Sequence, residues 1–500
     1  MLVSCAQMQE AEAAAFAKGV SAGGIMLKVG RAMADTLVQR FPSPGTAVLY
    51  LGKGNNAGDA LVVGIELAKL GWKILGRFSG DPSQLKPLPT EHLHTLDDDL
   101  SVLHSPPDLV EARRPILLID GLLGIGAVGP MRSAVAELTA EINHLRKADH
   151  AQVIALDLPS GVDGNTGIPA PDAVEADITL TVGQIKKGLV EDTAIHHVGR
   201  LQVISVAELS DCAGDTAAAV LTPELLRPWM PRRAFDTHKG QAGRVAIIAG
   251  SRGLTGAADL ASNAAVRGGA GLVTLHVPQE IYPILAARTA PEIMVRPERD
   301  LREVLDRPCD VIVIGPGIGF EQKDAVLHLL KVVTCPMIVD ADALTILANS
   351  GSLPGLLTSP AGPRLLTPHP GEMARLVAAH EPTPHPTRRA QAETFVAEWG
   401  QPNVTLLLKG ARTLIATIGQ PTLFNSTGHP GMASGGMGDV LSGLLGALIG
   451  QGIPLHQAAG LGAWLSGRAA ELAAQARHHE IGIAASDLPR HFGEALAEIG

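Results

Sequence analysis

Apolar residues along this chain gather in short runs, and each run stops at a polar or glycine-rich segment before a helical pattern begins. In the first part, residues 47–51, 116–119, 153–156 and 178–182 are apolar runs of strand length. Runs without inside-outside alternation predict strands covered on both faces, and so a parallel sheet. Between them, 60–70 and 133–145 carry the spacing of amphipathic helices. The rhythm restarts at 244–249 and continues through 271–277, 311–314, 337–339, 404–408 and 413–418, again alternating with helices. Two successive α/β units are predicted. Residues 207–219 (AELSDCAGDTAAA) are small and lack an apolar period, so they predict the linker, with domains at 1–212 and 220–500. The proline-rich stretch 381–387 (EPTPHPT) predicts a surface loop inside the second unit.

Composition then narrows the class. Five hundred residues, 46% of them hydrophobic, supply two cores. A net charge of −10 argues against nucleic acid or an anionic membrane as the main partner, while leaving small anions open. The four cysteines have no CxxC spacing, which predicts neither a disulfide framework nor a zinc site and fits a reducing cytoplasm. The N-terminus carries Glu10 and Glu12 and no basic region, unlike a signal peptide. The longest charge-free run, 440–455, is too short and too glycine-rich to span a bilayer. A soluble, cytoplasmic protein is expected.

Ligands of open α/β sheets bind outside the carboxyl ends of the strands, which directs attention to the segment after each apolar run. In the first unit these ends are GKGNNAGD at 52–59, Asp120-Gly121 with Gly124, Ile125, Gly126 and Ala127, and DLPSGVD at 157–163. Any one of them could be no more than a tight turn capped by Asp or Asn. Three at successive strand ends predict a shared crevice. The first does not complete a GxGxxG spacing, and no acidic residue ends the next strand near 74–78, so an ordinary nicotinamide dehydrogenase is not expected.

The strongest chemical signal lies in the second unit, where GMASGGMGD (431–439) runs directly into apolar helix residues. Gly435, Gly436 and Gly438 let backbone N–H groups approach an anion, at the positive end of the succeeding helix. A carboxylate there would repel that anion unless it had a proton to take. Asp439 is therefore read as the base of a phosphoryl-transfer site.

Together with these, LLIDGLLGIGAVGP, ALDLPSGVDGNTG, AGSRGLTGAADLASNAAVRGGAGLVTL, VIGPGIG, VDADAL, LTPHPGE, LLLKGARTLI and GHPGMASGGMGDVLSG cover nearly the whole chain. The set resembles the bifunctional NAD(P)H-hydrate repair enzymes. The resemblance implies a Rossmann-like three-layer epimerase domain leading into a ribokinase-like α/β dehydratase domain. Ala57 and Ala60 depart from the family's asparagine loop, each by one added methyl.

For the reaction, the resemblance is specific. The substrates would be NADHX and NADPHX, hydrates with a hydroxyl at C6 of the reduced nicotinamide ring. Hydroxide leaves poorly, so the hydroxyl is first phosphorylated from ADP, with Asp439 taking its proton and the amides of 435–438 holding the transferred group. Phosphate then leaves, giving NAD(P)H, phosphate and AMP: a lyase in outcome. Because such a site handles one C6 epimer, the first domain would supply it as an isomerase.

The resemblance also implies roles for individual residues. Lys409, Gly410, Ala411, Arg412, Thr413 and Gly438 would bind the nucleotide; Ala257, Gly319 and His369 would meet the hydrate; Glu372 would order Mg2+ through water. Asp340 and Asp342 are read as cap and loop-shaping groups. In the first domain Asn55, Asn56, Ala57, Gly58 and Asp59, with Gly124, Ile125, Gly126, Ala127, Val128, Gly129 and Pro130, would cradle the dinucleotide. Asn56, Asp120 and Ser160 would hold K+. Of the acid/base candidates for epimerisation, Asp157 stands first and Asp120 second. A homo-oligomer without nucleic-acid or membrane partners is expected.

Two other readings stay open on the residues alone. A ribokinase-fold kinase of a small metabolite would use the same GMGD segment but leave a stable phosphorylated product. A purely binding first unit would not exchange epimers.

Overall fold

The computed structural model describes residues 1–127, 129–210, 212–351, 353–357, 361–378, 385–399, 403–477 and 480–500. Val128 of the expected dinucleotide cradle, Asp211 of the expected linker and residues 381–384 of the expected surface loop lie outside the described residues. The chain forms two compact units, Met1–Thr216 and Ala217–Gly500. The division falls inside the small-residue segment, which is built into structure on both sides of it. The Asp215 N–H donates to the Leu2 carbonyl at 2.7 Å, and Ala218–Val220 is a strand of the second sheet.

In the first unit seven strands form one parallel sheet in the order Leu100–Val102, Lys73–Phe78, Thr46–Leu51, Ile116–Gly121, Gln152–Leu156, Ile178–Val182, Arg200–Ile204. Strand order reverses between Thr46–Leu51 and Ile116–Gly121, which are buried along their full lengths. A crevice opens at the carboxyl end of such a switch point, where the connections leave in opposite directions. Helices Cys5–Ala17, Ala22–Arg40 and Asn55–Lys69 pack on one face and Ser133–Ala148 on the other, giving three layers. A short parallel pair, Leu2–Val3 with Ile185–Lys186, stands apart from the main sheet.

The second unit is built on ten strands, with its switch point between Arg244–Ile248 and Val311–Ile314. One expectation is corrected here. Val404–Leu408 and Leu414–Thr417 are not separated by a helix; they form an antiparallel hairpin. Gly410 at φ 138° and Arg412 at φ 57° turn that hairpin, a left-handed geometry that the apolar pattern does not announce. Helices Met437–Gly450 and Thr255–Arg267 pack side by side on the sheet. A β-carbon at Gly443 would fall 1.9 Å from the Ala261 carbonyl oxygen, so this glycine sets how closely the two helices meet. No helix among the described residues is long and apolar enough to cross a membrane.

Candidate functional site

In the first unit the switch point opens into a cleft of about 870 Å³. It is lined by Asn55, Asn56 and Asp59 from the helix Asn55–Lys69, by Gly124, Ile125, Gly126, Ala127, Gly129 and Pro130 from the loop after Ile116–Gly121, and by Asp157. Ala57 and Gly58 do not join them. Ala57 is fully buried, and a β-carbon on Gly58 would strike Met26 Sδ at 2.5 Å, because these positions face the helix Ala22–Arg40. The added methyls at Ala57 and Ala60 are both buried, Ala60 against Gly121.

Asp157 comes directly after strand Gln152–Leu156 in the left-handed region, φ 65°, a costly conformation for a residue with a β-carbon. Its N–H donates to the Leu180 carbonyl at 2.8 Å. Three donors converge on its Oδ1: the Lys186 ammonium, the Val182 N–H at 3.1 Å and the Thr181 hydroxyl at 3.4 Å. Lys186 is buried, and also donates to the Val182 carbonyl at 2.9 Å. The short strand Ile185–Lys186 is what brings this lysine under the cleft.

Two further carboxyls face the same pair. Glu12, on helix Cys5–Ala17, lines the cleft; burial and the charge of Asp157 raise its pKa, and Lys186 opposes them. Asp59 is pushed well above the usual carboxylate range by burial, then by Asp157 and Glu12, against the pull of Lys186. Sequence reasoning missed Lys186 and Glu12. Their signal is weak in one dimension, a lysine in QIKKG and a glutamate in an alanine-rich helix.

Asp120, Ser160 and Asn56 come together beside the cleft. The Ser160 hydroxyl donates to Asp120 Oδ1 at 2.7 Å and its N–H to Oδ2 at 2.8 Å. Leu123 joins the three: its N–H donates to Ser160 Oγ at 3.0 Å, and its carbonyl accepts from the Asn56 amide at 2.7 Å. Burial pushes Asp120 up to about 6, against the donors from Ser160 and Leu122. Carboxylate, amide, hydroxyl and carbonyl oxygens are a donor set that fits a weakly held monovalent cation. Asp120 and Ser160 lie beneath the cleft lining, so Asp120 is poorly placed to reach a substrate.

In the second unit the glycine-rich segment behaves as its composition implies, with one adjustment. The left-handed residue is Gly436, φ 90°, which is the N-cap of helix Met437–Gly450; Gly438 already belongs to the helix. A β-carbon at Gly438 would lie 3.3 Å from Lys409 Nζ and 3.9 Å from Asp340 Oδ2, so this position looks onto a charged cluster. Asp439 is in the first turn. Burial raises it to about 6, with help from Asp340 and Asp342 and opposition from Lys409.

Lys409 is the hub. Its ammonium donates to Asp340 Oδ1 at 2.6 Å and lies 3.9 Å from Glu372 Oε2. Burial alone would lower its pKa; Asp340, Glu372 and Asp439 outweigh it and hold it above the ordinary lysine value. Asp340 takes the N-cap position of helix Ala341–Ala348 as expected, but its buried carboxylate makes no capping bond and accepts from Lys409 and, at 2.7 Å, from Ser442 Oγ. Asp342 does shape a loop, accepting the Gly319 N–H at 2.9 Å. That N–H is therefore committed, and Gly319 offers a substrate close approach rather than a donor. Ala257 lies beside the same loop, 3.0 Å from where a β-carbon on Gly317 would be.

His369 and Glu372 open the helix Pro370–Ala378 reciprocally. The His369 N–H donates to Glu372 Oε2 at 2.8 Å, and His369 Nδ1 accepts the Gly371 N–H at 3.0 Å, leaving the ring half exposed. With Glu372 so engaged, the residues fit a magnesium ion held through water and phosphate oxygens, not a protein cage. Among the described residues no group of three or more His, Cys, Asp or Glu is placed to hold a metal. Of the expected nucleotide segment, Gly410, Ala411 and Thr413 form the hairpin turn with Lys409. Arg412 is buried there and is not part of an exposed basic surface.

Comparison with known proteins matches two families to this chain: NAD(P)H-hydrate dehydratase over residues 245–492, and the YjeF-related protein N-terminus over residues 23–188. The chain is 38% identical over 453 residues to the bifunctional NAD(P)H-hydrate repair enzyme Nnr of Moorella thermoacetica, covering 86% of this chain and 83% of that one. To the enzyme of the same description from Coxiella burnetii it is 35% identical over 495 residues, 97% of each chain. Among solved structures, a ribokinase-like superfamily protein from Enterococcus faecalis V583 aligns with a TM-score of 0.50 at 26% identity, covering 58% of this chain and 98% of that one.

Proposed function

The chain belongs to the family of bifunctional NAD(P)H-hydrate repair enzymes, and from that premise we propose how its two units divide the work. The protein repairs NADHX and NADPHX. Its first unit, an isomerase, interconverts the R and S hydrates at C6. Its second unit, a lyase, removes water from the S epimer at the expense of ADP, releasing NAD(P)H, AMP and phosphate. The observation that carries this reading is the cluster of Asp439, Lys409 and Asp340 at a glycine-lined helix start, in the unit that matches the dehydratase family.

The geometry suits the steps in order. Asp439, with a pKa of about 6, is ionised at neutral pH and accepts the C6 hydroxyl proton as that oxygen attacks the terminal phosphoryl group. The amides from Gly435 to Gly438 and the Lys409 ammonium face the charge on the transferred group, and AMP departs. The ring nitrogen then expels phosphate from C6, and loss of a C5 proton restores the C5=C6 bond. Lys409–Thr413 holds the nucleotide; Ala257, Gly319 and His369 meet the hydrate. Glu372 would hold Mg2+ through water, and the ion would supply charge neutralisation to the phosphates.

In the first unit the dinucleotide lies along Asn55, Asn56, Asp59 and the 124–130 loop, with its ring facing Asp157. Asn56, Asp120 and Ser160 would hold K+, whose charge would steady the oxygens of the loop that Leu123 begins. The protein acts in the cytoplasm, as a homo-oligomer.

Chemically prepared hydrate incubated with ADP and, in parallel, ATP tests the reading. Recovery of NADH absorbance with release of free phosphate is expected, faster with ADP. A stable phosphorylated product without recovery of NADH would identify a small-molecule kinase instead.

A further inference from the structure

The first-unit cleft holds more acid than its lysine can neutralise. Three carboxyl groups, Asp59, Glu12 and Asp157, meet one buried ammonium, Lys186, and that ammonium is bonded to Asp157. Three donors already point at Asp157 Oδ1, each bringing its own hydrogen, so that oxygen can only accept. The remaining two carboxyls face Asp157 and one another without a bonded cation. Carboxylates that share one cleft do not all ionise cheaply, and burial together with the neighbouring carboxylates favours a retained proton there.

Asp59 is the better holder of that proton. It is carried on helix Asn55–Lys69, whose first residues also line the cleft, and feels both other carboxyls, whereas Glu12 comes from helix Cys5–Ala17 and feels Asp157. The other charged groups lining the cleft are Lys53, Lys86 and Arg132; Lys53 is bonded to Gln84. Asp120 lies beneath, bonded to Ser160.

We propose that Asp59 is the proton donor and acceptor of epimerisation, while Asp157, fixed by Lys186, is the anion that faces the ring cation formed on the way. This rests on the epimerase reading of the first unit. In the forward step the Asp59 carboxyl gives its proton to the C6 hydroxyl. The C6–O bond breaks with its electron pair leaving on water, and the N1 lone pair forms an N1=C6 double bond, so the ring becomes a cation and Asp59 a carboxylate. In the return step the planar ring cation turns its other face to Asp59, water adds to that face of C6, the N1=C6 pair goes back to nitrogen, and the water's proton goes to Asp59. Atoms and charge are restored with C6 inverted, and no co-reactant beyond water is used. Lys186 is a positioning residue: it holds Asp157 and touches no substrate.

The test uses the full chain, with epimers resolved by chromatography in the absence of nucleotide. D59N should slow interconversion roughly 100-fold or more, with an unshifted thermal midpoint, and D59E should recover part of the rate. Wild-type interconversion should fall as pH rises, since the acid must be protonated. E12Q should move that fall to lower pH by removing a neighbouring charge. ADP-dependent dehydration of one epimer by the second unit serves as the internal control in every variant. If wild type interconverts epimers and D59N does so within a few-fold of it, the assignment of Asp59 is overturned and the epimerase reading stands. If wild type itself does not exceed the uncatalysed rate, both fall.

Discussion

The two units use one electrostatic device for opposite ends. In each, an aspartate at a strand end is bonded to a lysine, Asp157 to Lys186 and Asp340 to Lys409, and a second aspartate on the adjoining helix has its pKa raised. Each second carboxyl is raised by burial and by two further carboxyls and lowered by one lysine; the difference lies in the balance. Asp439 stands in the first turn behind a left-handed glycine, and Lys409 pulls against its burial, leaving it near 6. At Asp59 burial, Asp157 and Glu12 outweigh Lys186 by more, raising it well beyond the usual range. At neutral pH the first is an available base and the second an available acid. The comparison teaches that an Asp–Lys bridge does not itself supply catalysis; it sets the field in which a neighbouring carboxyl is tuned.

The largest effects should come from breaking the bridges. K186M and K409M each strand a buried aspartate without its ammonium, which costs about 3–5 kcal/mol. Denaturant unfolding of each variant should show the loss confined to its own unit, with the other transition unmoved; a loss spread over both transitions would show that the units are not independent. D439N keeps the size of the side chain and removes its basicity. Dehydration should drop roughly 100-fold or more, while epimerisation continues. A near wild-type rate of phosphate release would remove Asp439 from the role.

Titration sharpens the contrast more gently. Dehydration needs Asp439 ionised, so its rate should fall by about tenfold per pH unit below its pKa of about 6. Epimerisation needs Asp59 protonated and should instead decline as pH rises. Profiles with the same sign would dissolve the distinction. The smallest effect is expected from cutting between Thr216 and Ala217, where the compact units divide. Fragments 1–216 and 217–500 should each retain its own activity within about a factor of two. A cut after residue 212 forfeits the Leu2–Asp215 pairing and should yield a less stable first fragment.

Much of the second site was legible in one dimension because its parts are contiguous. Glycine spacing, the start of the next helix and Asp439 lie within GMASGGMGD, and local backbone geometry determines most of what they do. Strand runs were legible for a similar reason, since burial on both faces leaves an unbroken apolar signature. The short strands, such as Leu100–Val102 and Thr422–Phe424, were not, being three residues long and partly polar.

What the sequence by itself determined, then, is the two-unit α/β plan, the polar strand ends and the glycine-rich helix start that carries Asp439, all properties of neighbours along the chain. Only the tertiary structure decided which charges meet. Lys186 reaches Asp157 across 29 residues, Lys409 reaches Asp340 across 69, and Glu12 joins Asp59 from another helix. Asp340 sits at a helix N-cap as expected, yet its side chain holds a lysine; Gly58, expected in the cleft, packs against Met26 of a neighbouring helix. Side-chain direction and long-range pairing are set by how helices pack on the sheet. Proton affinities depend on that packing, because burial and the nearest charges act through space and not along the chain.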